Sequence, residues 1–186
     1  MHPATETDPG PPADAADIGR VITLRVDGRE HRLSVDPRRT VLDLLREQLG
    51  VFSAKKGCDH GQCGSCTVLI DGRRVLACLT LAVTCDGVEV TTAAGLAADG
   101  LLHPVQQAFL QHDAFQCGYC TPGQICSAVG LLDEFEAGAP SQVTVPVTAT
   151  PDWTDAEIAE RMSGNLCRCG AYPGIVSAIR ETKGGS

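Results

Sequence analysis

Hydrophobic and polar residues alternate in the first patterned stretch of the chain, which begins near residue 20. Alternation of this kind is typical of a β-strand with one buried face. An Asp-Gly pair, Asp27-Gly28, then separates this stretch from a second alternating one, so the pattern predicts a β-hairpin. The apolar positions of the two strands are Ile22, Leu24, Val26, Leu33 and Val35.

A helical pattern follows the hairpin. Thr40 is suited to cap the N-terminus of a helix, and Gly50 is suited to end it. Beyond a loop rich in cysteine, short strands are predicted at 67–70, 74–79 and 88–90. A hairpin, a helix, a cysteine loop and a small sheet in this order predict a β-grasp domain over residues 18–92, as in plant-type ferredoxins. The apolar stripe of the helix is Val41, Leu44, Leu45 and Leu49.

From residue 93 onward the pattern is mainly helical. Pro104, Pro122 and Pro173 each open a predicted helix, and Thr154 with Glu157 forms the capping box of another. The two helix pairs predict an all-α four-helix domain over residues 93–186, so the fold class is α+β. The segment 137–151 has no helical period and predicts an extended excursion, and residues 1–17 predict a disordered tail.

Charge and composition narrow the possible functions. The net charge is −8 and no basic stripe is present, which argues against a nucleic-acid partner. No segment has the length of a membrane-spanning helix, and residues 1–20 lack the apolar stretch of a secretory signal. The Arg pairs at 38–39 and 73–74 lie inside predicted elements and do not resemble a twin-arginine signal. We therefore expect a cytoplasmic protein, or a periplasmic one if a twin-arginine leader is missing.

Eight of the 10 cysteines fall into two groups of four. The first group has the spacing C-x4-C-x2-C with a fourth cysteine further on, which is the plant-type [2Fe–2S] pattern. The second group combines C-x2-C with a distant C-x-C, and each of its pairs precedes a predicted helix, whose free N–H groups favour an anionic cluster. The groups are Cys58, Cys63, Cys66 and Cys78, and Cys117, Cys120, Cys167 and Cys169.

Other interpretations of the cysteines stay open at this point. Zinc prefers paired C-x2–4-C knuckles, which the second group offers only once. A Rieske centre needs two histidines, and the first loop contains only His60. A thioredoxin-like role for Cys117 and Cys120 would need a preceding strand, and a disulfide framework is typical of shorter secreted chains. Cys85 and Cys126 belong to neither group and are expected to be buried thiols.

Two further motifs make the sequence specific. They are Gln116-Cys117-Gly118-Tyr119-Cys120-Thr121-Pro122-Gly123 and Ser163-Gly164-Asn165-Leu166-Cys167-Arg168-Cys169-Gly170. Together with the first cysteine group, they resemble the small iron–sulfur subunit of the xanthine oxidase family of molybdenum hydroxylases, over roughly residues 20–180.

The resemblance implies that both cysteine groups ligate [2Fe–2S] clusters. It implies a path for electrons from the molybdenum cofactor of a large subunit, through both clusters, to FAD in a third subunit. It also implies that Gln116 hydrogen-bonds the pterin of the molybdenum cofactor, although an amide that caps the following turn is the structural alternative. No catalytic residue is expected on this chain.

Three details indicate a branch of the family. The sequence Cys169-Gly170-Ala171-Tyr172, the segment 137–151 and the stretch 161–165 resemble bacterial aldehyde oxidoreductases. That branch implies a heterotrimer that uses molybdopterin cytosine dinucleotide and oxidises aldehydes to carboxylic acids. The alternatives are a subunit of a purine or N-heterocycle hydroxylase, a free-standing two-cluster carrier, and a zinc interaction module.

Overall fold

The computed structural model describes residues 19–184, and the predicted tail at residues 1–17 lies outside them. The chain begins with the predicted hairpin, formed by β1 (Arg20–Val26) and β2 (Arg29–Val35). Asp27 and Gly28 both have positive φ values, 51° and 77°, as a tight hairpin turn requires. The predicted inward positions of β1 are buried, and they are Ile22, Leu24 and Val26.

The predicted helix begins at Thr40, whose hydroxyl accepts a hydrogen bond from the Asp43 N–H at 3.1 Å. Only one turn is α-helical, α1 (Val41–Asp43), and the chain continues as a π-helical segment, Leu44–Gln48. Leu42 is buried as well, although it is not part of the predicted apolar stripe. Gly50 ends the segment at φ 67°.

Three more strands complete a mixed sheet, and they are β3 (Thr67–Ile70), β4 (Arg73–Leu76) and β5 (Glu89–Thr91). The strand order in the sheet is β2-β1-β5-β3-β4. β5 runs parallel to β1 and antiparallel to β3. The predicted strand over 74–79 is wrong at its C-terminal end, because the Leu79 N–H closes a turn onto the Leu76 carbonyl at 3.0 Å. Cys78 therefore lies in a turn.

Four helices follow the sheet. They are α2 (Pro104–Gln111), α3 (Thr121–Glu136), α4 (Asp155–Arg161) and α5 (Tyr172–Gly184). Cys117 and Cys120 lie between α2 and α3, and Cys167 and Cys169 lie between α4 and α5. Within residues 19–184, no helix has both the length and the apolar character needed to cross a bilayer.

The segment 137–151 contains neither helix nor strand, as its composition predicts. It is anchored by the buried carboxylate of Glu157, which accepts hydrogen bonds from the hydroxyls of Ser141 at 2.9 Å and Thr144 at 3.4 Å. Arg161 forms an ion pair with the same carboxylate at 2.6 Å, and both side chains are 3% exposed. The extended segment is thus fixed to α4 by a buried charge pair.

Two hydrophobic cores form, one beneath the sheet and one among the helices. Leu69 of β3 belongs to the helical core, and α3 packs against β3. The two halves therefore share an interface. The fold is α+β, whereas the β-grasp assignment and the domain boundary near residue 92 stay predictions.

Candidate metal centres

The first cysteine loop is a tightly curled segment between the π-helical turn and β3. Asp59, Gly61 and Gly64 have φ values of 60°, 83° and 71°, so the backbone is left-handed at three positions within six residues. This curl directs the Gln62 N–H at the sulfur of Cys58, at 3.2 Å. Backbone N–H groups that face a cysteine sulfur stabilise its thiolate.

Two other cysteines of the first group, Cys66 and Cys78, lie at the open end of the β3–β4 hairpin. Cys66 directly precedes β3, and Cys78 lies in the turn that follows β4. The Ala77 N–H donates to the Cys66 carbonyl at 3.4 Å, which holds the two segments together. Cys66 and Cys78 are both buried, at 3% and 5% exposure.

The second group is assembled by two turns that each lead into a helix. Gly118 and Gly170 have φ values of 78° and 75°, and each lies beside a cysteine of the group. The Ala171 N–H donates to the Cys167 sulfur at 3.4 Å. The Cys167 N–H donates to the Tyr172 hydroxyl at 2.8 Å, so the C-x-C turn is fixed to the start of α5.

The thiols differ strongly in their acidity. In the first group, the N–H groups of His60 and Gln62 lower the pKa of Cys58 to about 6, whereas burial and the neighbouring Cys78 raise the pKa of Cys66 to about 12. In the second group, burial and the neighbouring Cys167 raise the pKa of Cys120 to about 11. Burial also opposes ionisation of Cys167, but N–H donors led by that of Ala171 outweigh it and lower its pKa.

The cysteines interact in pairs. The thiol of Cys58 is in hydrogen-bond contact with that of Cys63, the thiol of Cys66 with that of Cys78, and the thiol of Cys120 with that of Cys167. In the part of the chain that the structure describes, no three His, Cys, Asp or Glu side chains are grouped around a single ion position. Pairs of thiols suit a two-iron cluster, in which four cysteines serve two irons.

The backbone also leaves room for a cluster. A Cβ atom at Gly57 would lie 2.8 Å from the sulfur of Cys63, so a larger residue would displace that thiol. Close approach of backbone to the sulfurs is what an anionic cluster needs, because N–H groups then compensate its charge. The donor set, the pairing and the glycines all fit [2Fe–2S] clusters at both groups.

The two groups open onto one cleft of about 470 Å³. Its walls contain cysteines of both groups together with Tyr119 and Leu166. Tyr119 spans the cleft, since its hydroxyl donates to the Lys56 carbonyl at 2.7 Å, close to Cys58. The cysteines in the walls are Cys58, Cys63, Cys117, Cys120, Cys167 and Cys169.

Gln116 lies on the surface beside the exposed Cys117. Its amide nitrogen donates to the Cys169 carbonyl at 3.3 Å, so the side chain braces the C-x-C turn. Its amide oxygen has no hydrogen-bond partner among residues 19–184. The contact is structural, but it is made to the distant C-x-C turn and not to the turn that follows Gln116, and it leaves the amide oxygen of an exposed side chain as an available acceptor.

Cys85 and Cys126 do not line the cleft onto which the two groups open. Cys85 is buried in the core beneath the sheet and Cys126 in the helical core, at 1% and 0% exposure. Burial raises the pKa of both thiols, that of Cys126 to about 12. All 10 cysteines of the sequence are described, and none forms a disulfide.

Sequence reasoning missed one residue of this region. Asn165 lies within the motif that contains Cys167 and Cys169, but its position in the sequence predicts no role for it. In the structure it is buried, at 6% exposure, and hydrogen-bonds the first cysteine loop. The sole sequence signal for a role of Asn165 is its position two residues before the proposed ligand Cys167. Its hydrogen-bond partner Gly64 is too distant in the sequence to be inferred.

Two family models match the chain. A 2Fe-2S iron-sulfur cluster binding domain matches residues 24–94, and a [2Fe-2S] binding domain matches residues 92–180. Each match contains one complete group of four cysteines.

Known proteins with similar sequences and structures include enzyme subunits. The chain is 58% identical over 163 residues to the aldehyde oxidoreductase iron-sulfur-binding subunit PaoA of Escherichia coli (strain K12), which covers 88% of this chain and 71% of PaoA. It is 42% identical to the nicotine 6-hydroxylase small subunit of Paenarthrobacter nicotinovorans, over 88% of this chain and 89% of that subunit. A chain of quinoline 2-oxidoreductase from Pseudomonas putida 86 superposes with a TM-score of 0.73 and 38% identity, over 88% of this chain and 91% of that chain.

Proposed function

Since the chain belongs to the iron–sulfur subunits of the xanthine oxidase family of molybdenum hydroxylases, we propose that it relays electrons within such a complex. The observation that carries the proposal is the convergence of six of the eight grouped cysteines, two from the first group and all four of the second, on one cleft. When bound, each [2Fe–2S] cluster supplies a centre that accepts and donates one electron. The protein itself contributes ligands, N–H donors and exclusion of water.

We assign the ligands of the clusters from the thiol pairs. Cys58 and Cys63 would bind one iron of the first cluster, and Cys66 and Cys78 the other. In the second cluster Cys120 and Cys167 would share one iron, which leaves Cys117 and Cys169 for the other. The hydrogen-bond contacts between the thiols of Cys58 and Cys63, of Cys66 and Cys78, and of Cys120 and Cys167 support this assignment.

We propose that the second group faces the large subunit. Its support is exposure: Cys117 and Gln116 both lie on the surface. The outward acceptor of Gln116 suits a hydrogen bond from a pterin edge, while its nitrogen keeps the Cys169 turn in place. Gln116 would thus join the cofactor of the partner to the second cluster site.

We propose a complex of three kinds of subunit that oxidises aldehydes to carboxylic acids. A large subunit would hold molybdopterin cytosine dinucleotide, and a third would hold FAD. The 58% identity to the aldehyde oxidoreductase subunit supports an aldehyde substrate over the N-heterocycles named by the other relatives. We propose the cytoplasm as the compartment, because Cys85 and Cys126 are free thiols outside both groups and a reducing environment preserves such thiols.

Iron, zinc and labile sulfide should be measured per chain, with electron paramagnetic resonance (EPR) of the dithionite-reduced protein. We expect about four irons, about four sulfides and two distinct [2Fe–2S] signals. A single signal, or zinc in place of iron, would contradict the proposal. Purification of the tagged chain with its native partners should also recover molybdenum and FAD, whereas an isolated monomer would favour the free-standing carrier.

The role of Gln116 needs its own experiment. Gln116→Ala should keep both EPR signals but slow reduction of the clusters when aldehyde is added to the complex. Gln107→Ala, an exposed glutamine on α2, is the matched control and should reduce at the wild-type rate. Equal rates in all three proteins would show that Gln116 makes no contact with the molybdenum cofactor.

A further inference from the structure

Asn165 is a buried amide that contacts two separate segments at once. Its nitrogen donates to the carbonyl of Gly64, in the first cysteine loop, at 2.9 Å and to that of Gly123, on α3, at 3.2 Å. Carbonyl oxygens can only accept, so the orientation of the amide is fixed. Its oxygen accepts from the Ser127 hydroxyl at 2.6 Å, which anchors the side chain to α3.

The residue after Asn165 makes the matching backbone contact. The Leu166 N–H donates to the Cys63 carbonyl at 2.9 Å. Two successive residues before Cys167 therefore hold two successive carbonyls of the first loop, those of Cys63 and Gly64. One hydrogen bond joins the ligand Cys63 to the residue that precedes the ligand Cys167.

The first cysteine loop packs closely against the segment before Cys167 and against the start of α3. A Cβ atom at Gly64 would lie 2.4 Å from the Gly164 carbonyl, and one at Gly123 would lie 2.4 Å from the Gly64 carbonyl. The Gly64 carbonyl also accepts from the N–H and the hydroxyl of Thr67, at 3.0 and 2.7 Å. Backbone is thus packed directly against backbone, with Asn165 at the centre.

We propose that Asn165 is a positioning residue that holds the two cysteine loops at one separation and orientation for electron transfer between the groups bound there. The inference rests on the proposed function. The step it serves moves a single electron from the second site to the first, without making or breaking a bond and without a proton. Because electron transfer weakens steeply with distance, movement between the loops would slow it.

The test compares three variants within the purified complex. Asn165→Ala removes the amide, and Asn165→Ser keeps one short donor. Arg74→Met is the matched control, because Arg74 joins the same two halves of the chain through hydrogen bonds to Glu134 and the Arg161 carbonyl and makes none to a cysteine loop. The readout is the magnetic interaction between the two clusters in low-temperature EPR with both reduced, together with iron content.

Wild type and Arg74→Met should show the same interaction. At least one Asn165 variant should keep its full iron content yet lose part of the splitting, or show a broader range of splittings. Unchanged splitting in every Asn165 variant that keeps its full iron content would overturn the proposal. Loss of iron from both Asn165 variants would also overturn it, because Asn165 would then build the loops rather than set their separation.

These outcomes separate this inference from the function on which it rests. Wild type that lacks two [2Fe–2S] signals contradicts the proposed function. Wild type with two signals but no magnetic interaction contradicts only the inference, since loops in direct contact require neighbouring clusters.

Discussion

The guanidinium of Arg74 on β4 and the carboxylate of Glu134 on α3 form two parallel hydrogen bonds, each 2.7 Å long. A third bond runs from Arg74 to the carbonyl of Arg161, also at 2.7 Å. A bidentate pair of this geometry is stronger than an ordinary surface ion pair. It joins the sheet to the helices away from the cysteines.

Replacement of Arg74 by Met should therefore destabilise the protein while leaving its clusters intact. We expect a loss of about 1–2 kcal/mol, because the side chain is partly exposed and the bonds are charge-assisted. For a chain of this length that corresponds to a fall in the melting temperature of about 2–8 °C. Arg73→Met, at an exposed neighbour on the same strand, should melt like wild type in the same thermal scan.

Removal of a single ligand should cost one cluster and spare the other. Cys117→Ser should reduce the iron content from about four to about two per chain and remove one EPR signal. Cys126→Ser should keep both signals, because Cys126 is buried in the helical core and does not line the cleft. Loss of a cluster from the Cys126 variant would show that the ligands are wrongly assigned.

Gly64→Ala should damage the first site far more than an equivalent glycine change elsewhere. Gly64 and Gly72 have similar φ values, 71° and 79°, so alanine costs each about 1 kcal/mol in backbone strain. Only at Gly64 does the new Cβ also collide with backbone, 2.4 Å from the Gly164 carbonyl, which adds about 1–3 kcal/mol. Denaturant unfolding and iron content of the two variants will separate these effects. Equal losses of stability and of iron in the Gly64 and Gly72 variants would show that a Cβ atom at Gly64 does not collide with the Gly164 carbonyl.

Cys126 should resist alkylation at pH 8 in the folded protein and react once the protein is unfolded. Its burial raises the pKa to about 12, so the thiol stays protonated well above neutral pH. Because the pKa of the Cys126 thiol is higher in the folded than in the unfolded protein, its contribution to the free energy of unfolding is fully present below the unfolded pKa, near 9. That contribution is lost as the pH rises toward 12. Mass spectrometry after iodoacetamide treatment measures the reaction. Rapid labelling of folded protein would contradict the burial.

Local features of the fold were predictable because they depend on neighbouring residues. The hairpin at Asp27-Gly28, the cap at Thr40 and the stop at Gly50 each need only a few adjacent side chains, and each lies where predicted. Thr154 caps α4 as expected, but its predicted partner Glu157 binds Arg161 and Ser141 instead. That outcome depends on the segment 137–151, which has no pattern to place it.

The cysteine groups could be predicted from spacing because cluster chemistry limits the ligand pattern. The C-terminal end of β4 could not be predicted from the sequence, because Val75 and Leu76 begin an apolar run that continues to Leu79, and only the turn in the structure ends the strand. The contact between Asn165 and Gly64 was also beyond prediction, because it joins positions separated by 101 residues. Long-range contacts of this kind leave no periodicity in the sequence.

The interlocking of Gly64 with Asn165 limits how the two halves could be recombined. A chimera that took residues up to the end of β5 from one relative and the helices from another would bring together two surfaces that had not been fitted to each other. Gly64 on one side of the junction would have to fit Gly123 and the side-chain amide of Asn165 on the other. Exchange of redox modules within this family should therefore succeed only when both cysteine loops are transferred as one unit.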